Sequence, residues 1–185
     1  MKKIFFVTQN DYKFRQFVHA VGNPAIKFEQ LPETTPEIQA DNNADVAKFS
    51  AQWAAKQFQS PVICEDVGLY IEALSGFPGP YLSQVEKWLK PKGFLKLMVG
   101  EKNRRAKWEY AVAFCTPKTK PISFSTFHLG CISQEARGKS GWYVDKIFIP
   151  KRKDKTIAEL IDSNEYKRSQ LHYQKLINYL KTIRF

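Results

Sequence analysis

Residues 64–81 read Cys-Glu-Asp-Val-Gly-Leu-Tyr-Ile-Glu-Ala-Leu-Ser-Gly-Phe-Pro-Gly-Pro-Tyr. An apolar run, Pro61-Val62-Ile63-Cys64, leads into two adjacent acids, Glu65 and Asp66, and a Gly/Pro-rich turn follows at Gly76–Tyr81. Neighbouring carboxylates at a strand end repel each other, and a bound cation relieves that repulsion while keeping open positions for a polyphosphate. A solvated turn is the competing reading of an isolated Glu-Asp pair. The rest of the chain has to decide between them.

Working outward, Lys2-Lys3-Ile4-Phe5-Phe6-Val7 predicts a strand that breaks at Thr8-Gln9-Asn10-Asp11 into a helix with Phe14, Phe17, Val18 and Val21 on one face. Backbone amides at such a turn, with the helix dipole behind them, attract anions, and Lys13 adds a point charge. Simple capping by Asn10 or Asp11 is the alternative, and the glycines of a P-loop are missing. Ile26–Leu31 reads as a short strand, and Asp45–Phe58 as a helix striped by Val46, Phe49, Trp53 and Phe58. Strand Pro61–Glu65 comes next, then helices at Leu82–Leu89 and Pro91–Val99. Trp108–Thr116 and Ile122–Gln134 predict two long strands joined through residues 117–121, and Tyr166–Ile183 a closing helix with Leu171, Leu176, Ile177 and Leu180 inward. The order is mixed α/β, without repeats or a long linker, and residues 1–185 are expected to form a single domain.

Lysine and arginine number 29 against 18 acidic residues, giving a net charge of +11, which suits a phosphate-rich partner. Two basic clusters stand out, Lys102/Arg104/Arg105/Lys107 and Lys151/Arg152/Lys153/Lys155. Each suits either a solvated loop or a phosphate contact, and a basic field steers a nucleotide as readily as a nucleic acid, so nucleic acid is a partner that charge alone does not favour. Cys64, Cys115 and Cys131 are odd in number and lack metal-ligand spacing, so they read as small buried residues. No apolar stretch reaches membrane-spanning length, and the two N-terminal lysines precede only four apolar residues, so a cytoplasmic protein is expected.

Taken together, these segments resemble the inosine triphosphate pyrophosphatase (Ham1-like) family. The resemblance is carried by Phe6–Lys13, Pro36-Glu37-Ile38-Gln39, Asp45, Ala54-Ala55-Lys56, Pro61–Asp66 and, most specifically, Gly76–Tyr81. It continues through Leu89–Phe94, Gly130, Gly141, Asp145, Ile147-Phe148 and Thr156–Leu160. The resemblance implies an elongated, twisted mixed β-sheet flanked by helices, two lobes with a nucleotide cleft between them, and a homodimer. It also implies Mg²⁺-dependent hydrolysis of inosine- and xanthosine-type triphosphates to monophosphate and pyrophosphate. By the same resemblance Asp66 and Glu65 are catalytic acids, and Glu37 and Asp66 are metal ligands. Thr8, Asn10 and Lys13 hold the phosphates, and Trp142, Asp145, Ser169 and Gln170 bind the rest of the substrate.

The chain departs from the family at that substrate end. The family's Ser-His-Arg reads Ser169-Gln170-Leu171 here, a preceding family lysine is Glu165, and a basic residue after Gly-Pro-Tyr is Ser83. Lys87, Lys167 and Arg168 stand close enough in sequence to supply replacement charge. The preserved acidic end together with the altered cationic end implies retained metal and phosphate chemistry with altered base selectivity. Two other readings stay open: a degenerate nucleotide- or nucleic-acid-binding protein of this fold, and a Maf-like nucleotide pyrophosphatase.

Overall fold

The strand-to-helix turn expected after Val7 is present, and the rest of the fold builds from it. The computed structural model describes residues 3–22, 26–168 and 170–183. In chain order its elements are β1 (Lys3–Val7), α1 (Asp11–Val21), β2 (Lys27–Leu31), α2 (Asn43–Phe58), β3 (Val62–Ile71), β4 (Pro78–Gly79), α3 (Leu82–Leu97), β5 (Arg105–Cys115), β6 (Ile122–Ile132), β7 (Phe148–Pro150), α4 (Ile157–Asp162) and α5 (Leu171–Thr182). The strands form a seven-stranded sheet in the order β2-β1-β3-β5-β6-β7, with β4 paired to β3. β1 runs parallel to both β2 and β3, whereas β3–β4 and β6–β7 are antiparallel, so the sheet is mixed as expected.

The chain divides into two compact units. The first takes in the chain up to Asp66, Tyr110–Thr126 and the segment after Arg168; the second comprises Val67–Glu109 and Phe127–Arg168.

In the first unit the strands alternate between two apolar layers, because successive side chains leave a strand on opposite faces. Ile4, Phe6, Ile63, Val112 and Phe114 pack with Phe17, Tyr173, Leu176, Ile177 and Leu180 of α1 and α5. Phe17 is the hinge of that layer, with ring centroids 4.9 Å from Phe6 and 5.3 Å from Tyr173. The opposite layer joins Val7, Val62, Cys64, Ala111, Ala113 and Cys115 to α2. Here the sequence expectation fails in detail: the buried face of α2 is Val46, Ala47, Ser50, Ala51, Ala54 and Ala55, while Phe49 is exposed and Trp53 only half-buried. Alanines let the helix backbone approach a strand layer that is itself lined by Ala and Cys, while Val46 of the predicted stripe is buried and Trp53 and Phe58 pack against the layer partly buried.

Two further expectations are corrected. β3 does not end at the acids but continues to Ile71, where Leu69 and Tyr70 pair with Gly79 and Pro78. The acids therefore sit mid-strand. α5 begins at Leu171 rather than Tyr166, and Leu171 is exposed because it opens the helix; His172 and Tyr173 take the inward positions instead.

In the second unit α3 is bent at Lys90, which has φ 50° and ψ −179° immediately before Pro91. The residue before a proline is barred from helical geometry, so the two predicted helices meet at this kink. Arg104 donates to three backbone carbonyls, those of Ile132 at 2.7 Å, Met98 at 3.1 Å and Ser133 at 2.5 Å, and bolts the start of β5 to its surroundings. A 3₁₀ turn at Tyr143–Lys146 precedes β7, and α4 starts on a capping box formed by Thr156 and Glu159.

Candidate functional site

The turn between β1 and α1 is organised by its own side chains. Asn10 accepts from the backbone N–H groups of Tyr12 and Lys13 at 3.0 and 3.2 Å, so it is the N-cap of α1, and its own N–H donates to the Thr8 hydroxyl at 3.1 Å. Gln30 reaches over from β2 and donates to the Thr8 carbonyl at 3.1 Å and to Asp11 at 2.9 Å. Thr8, Asn10 and Lys13 thus form one ordered turn. Lys13 leans towards β3, with Nζ 3.4 Å from the Glu65 carbonyl and 3.9 Å from the Glu65 carboxylate.

The adjacent acids are separated by the pleat. Glu65 follows the register of Ile63 and enters the α1/α5 layer, where His172 Nε2 lies 3.2 Å from its carboxylate. Burial pushes the Glu65 carboxyl up, but Lys13, His172 and Tyr173 outweigh it and hold the group below its usual range. Tyr173 is driven in the other direction, with burial first and Glu65 next raising its hydroxyl. His172 is stacked on Tyr110, and its Nδ1 is 3.5 Å from Thr126. Asp66 follows Val62 and Cys64 into the α2 layer, where Asn43, fully buried at the start of α2, donates from Nδ2 to Asp66 Oδ2 at 2.7 Å. Mutual repulsion between neighbours is therefore not what organises this pair. Each acid answers to its own helix.

The first unit also holds Glu37 and Asp45. Glu37 is exposed in the irregular segment before α2. Asp45 is held by Lys48 at 2.6 Å and by the Asn42 amide at 2.8 Å, and this local arrangement lowers its pKa, with Lys48 as the main cause and Asn42 next. It is engaged in capping α2. Among the described residues no group of three or more His, Cys, Asp or Glu forms a metal cage. Asp66 and Glu37 offer only carboxylate oxygens, a donor set that suits a hard, largely hydrated divalent cation rather than zinc or copper.

The second unit carries a distinct polar cluster. Asp145 is fully buried in the 3₁₀ turn, accepts from the Trp142 backbone N–H at 2.7 Å and pairs with Arg168 at 2.5 Å. Gly141 makes this possible: a Cβ there would meet Asp145 Oδ2 at 2.5 Å, and its φ is +83°. The Arg168 guanidinium lies 4.1 Å over the Trp142 ring, which in turn packs 5.8 Å from Trp108. Glu86, on α3, is the fourth member. Burial, then the Asp145 charge, pushes its carboxyl up to about 7, with Lys87, Arg168 and a backbone hydrogen bond from Val144 opposing. Burial also raises Asp145, against the pull of Arg168 and the Trp142 N–H.

Of the other residues marked from sequence, Ser169 lies outside the described residues. Gln170 precedes α5 and directs its amide at Gln16, donating to the backbone carbonyl at 3.2 Å and the side-chain oxygen at 3.1 Å. Sequence reasoning missed Asn43, His172 and Glu86, and named Arg168 only as a spare charge. The Asn43–Asp66 and His172–Glu65 contacts span 23 and 107 residues, which no local pattern signals. A polar Asn just inside a helix whose cap is already supplied by Asn42 was the one available hint. In the basic cluster near residue 104, Arg104 is tied to backbone carbonyls, Arg105 pairs with Glu72 at 2.7 Å, and Lys107 lies 4.9 Å over the Phe127 ring.

Residues 4–180 match the profile of the Ham1 family. The chain is 39% identical over 158 residues to a dITP/XTP pyrophosphatase of Methanopyrus kandleri, covering 85% of this chain and 84% of that one. It is 35% identical to a dITP/XTP pyrophosphatase of Thermococcus kodakarensis over 97% of both chains. Among solved structures, a HAM1 protein from Coxiella burnetii superposes with a TM-score of 0.85 at 25% identity, covering 99% of this chain and 100% of that one. The profile match takes in almost the whole chain, and on that footing the chain belongs to the Ham1 family.

Proposed function

We propose that the chain is a nucleoside triphosphate pyrophosphatase that cleaves triphosphates of deaminated purines, of the inosine and xanthosine type, to monophosphate and pyrophosphate. The observation that carries this reading is the Asp66 carboxylate, oriented by a neutral amide donor at 2.7 Å, in a chain whose relatives at 35–39% identity are named dITP/XTP pyrophosphatases. Asp66 and Glu37 would hold Mg²⁺, which when bound offsets phosphate charge and acidifies a coordinated water. Asp66 is the residue to hold or deprotonate the attacking water. Lys13 and the Thr8–Asn10 turn take the phosphate tail, where a compact ammonium suits an anion. Glu65, committed to Lys13 and His172, supports the position of that lysine. Trp142, Asp145, Ser169 and Gln170 are the further substrate residues by family resemblance alone. Arg168 is held by the buried Asp145 and the Trp142 ring, and Leu171 supplies no cation. The same reading makes the protein a cytoplasmic homodimer with one catalytic domain.

Altered base selectivity follows from the substrate end. With Gln170 occupied by Gln16, the base loses a dedicated donor, so the preference for inosine over adenosine triphosphate is smaller than a His-containing site gives. The test is to incubate the purified protein and Mg²⁺ with ITP, dITP, XTP, GTP and ATP and to quantify pyrophosphate and orthophosphate. Pyrophosphate from the deaminated purines is expected. Orthophosphate alone, or no turnover of any of them, would sink the assignment.

A further inference from the structure

Asn43 carries a role that burial alone does not explain. It is 0% exposed, and α2 already has its N-cap in Asn42, which accepts from the Asp45 N–H at 2.8 Å. Its neighbours one turn along the buried face of α2, Val46 and Ala47, are apolar, so a leucine would satisfy packing alone. An amide is retained instead, and its Nδ2 reaches β3 to donate to Asp66 Oδ2 at 2.7 Å. The choice of donor is informative. Lysine or arginine at this position would ion-pair with the carboxylate and neutralise it, whereas a neutral amide fixes one oxygen and leaves the negative charge on the group.

We propose that Asn43 is the positioning residue of the catalytic carboxylate: it holds Asp66 in the orientation in which that group binds the divalent cation and the water. This rests on the pyrophosphatase reading, in which Asp66 is the central acid. Ligating carboxylates are themselves hydrogen-bonded in working metal sites, and loss of such a partner costs about tenfold to a hundredfold in metal affinity or activity.

The experiment compares wild type, Asn43→Leu and the exchange pair Asn43→Asp/Asp66→Asn. Three readouts are taken: Mn²⁺ binding to the metal-free protein by electron paramagnetic resonance, the KM and kcat for ITP, and the thermal midpoint. Asn43→Leu is expected to weaken Mn²⁺ binding and lower kcat by about tenfold or more, with KM for ITP little changed because the phosphate and base contacts remain. The exchange pair keeps an amide–carboxylate contact and is expected to recover the thermal midpoint, yet not Mn²⁺ binding, since the carboxylate now projects from α2. A folded Asn43→Leu with wild-type Mn²⁺ affinity and kcat would overturn the proposal, as would an exchange pair that regains both. Should wild type release no pyrophosphate, the functional reading fails on its own, while the Mn²⁺ comparison still decides the role of Asn43.

Discussion

Asp66 and Glu65 differ by one position in sequence and by a whole face of the sheet in space. Asp66→Asn keeps the shape and the Asn43 neighbour but removes the charge, and is expected to cost about 3 kcal/mol or more of transition-state stabilisation, seen as a fall in kcat for ITP. Lys13→Ala acts elsewhere: it should raise KM for triphosphates and weaken discrimination against diphosphates, measured by steady-state kinetics with ITP and IDP. Glu86 gives a prediction in stability rather than rate. Its carboxyl titrates at about 7 in the folded protein against 4.5 for the free group, so folding favours its protonated form. Below the lower value both states carry the proton and nothing is lost; between the two, rising pH ionises the unfolded chain first and draws the equilibrium towards unfolding. Glu86→Gln removes that dependence. Its thermal midpoint relative to wild type should therefore be higher at pH 8 than at pH 4, as two melting series would record.

Elements bear the next level of prediction. Lys90 occupies a backbone region that only glycine enters freely, so Lys90→Gly is expected to stabilise the protein by about 1 kcal/mol in urea unfolding, despite the usual penalty of glycine near a helix. In α2 the close face is fully packed: Ala54→Leu should cost roughly 1–3 kcal/mol by overpacking against Cys64, Ala111 and Ala113. These two sites also show what was legible beforehand. The kink in α3 follows from Pro91, the α1 start from the Asn10 cap, and the β5–β6 pair from two apolar runs around a Pro-flanked turn, all of them local rules. The register of α2 was not legible, because a large-residue stripe and a small-residue face compete and only the Ala/Cys layer of the sheet decides. The length of β3 was hidden by its charges, since Glu65 and Asp66 interrupt an apolar pattern that resumes at Leu69. Of the candidate residues, the β1–α1 turn was readable from local capping rules, and Asp66 and Glu37 were marked by family resemblance. Asn43, His172 and Glu86 were not, because each acquires meaning only from a partner brought up by the fold.

At the scale of the whole molecule, the +11 charge is the property most open to a second meaning. Arg104 is held by three backbone carbonyls, and Arg105, Arg137 and Lys155 are paired with carboxylates, so these cations are engaged within the chain. Binding to single- or double-stranded oligonucleotides at physiological salt should therefore be weak. A fluorescence titration giving submicromolar affinity, with a steep salt dependence that disappears when Arg152 and Lys153 are neutralised, would contradict this. The contact between His172 and Glu65 has a temporal side as well. Translation delivers Glu65 more than a hundred residues before its imidazole partner. A nascent chain that has passed Asp66 and even completed β6 still holds a carboxylate destined for an apolar layer whose remaining wall, α5, is unmade. The acidic strand therefore reaches its final surroundings only once α5 has been made and packed.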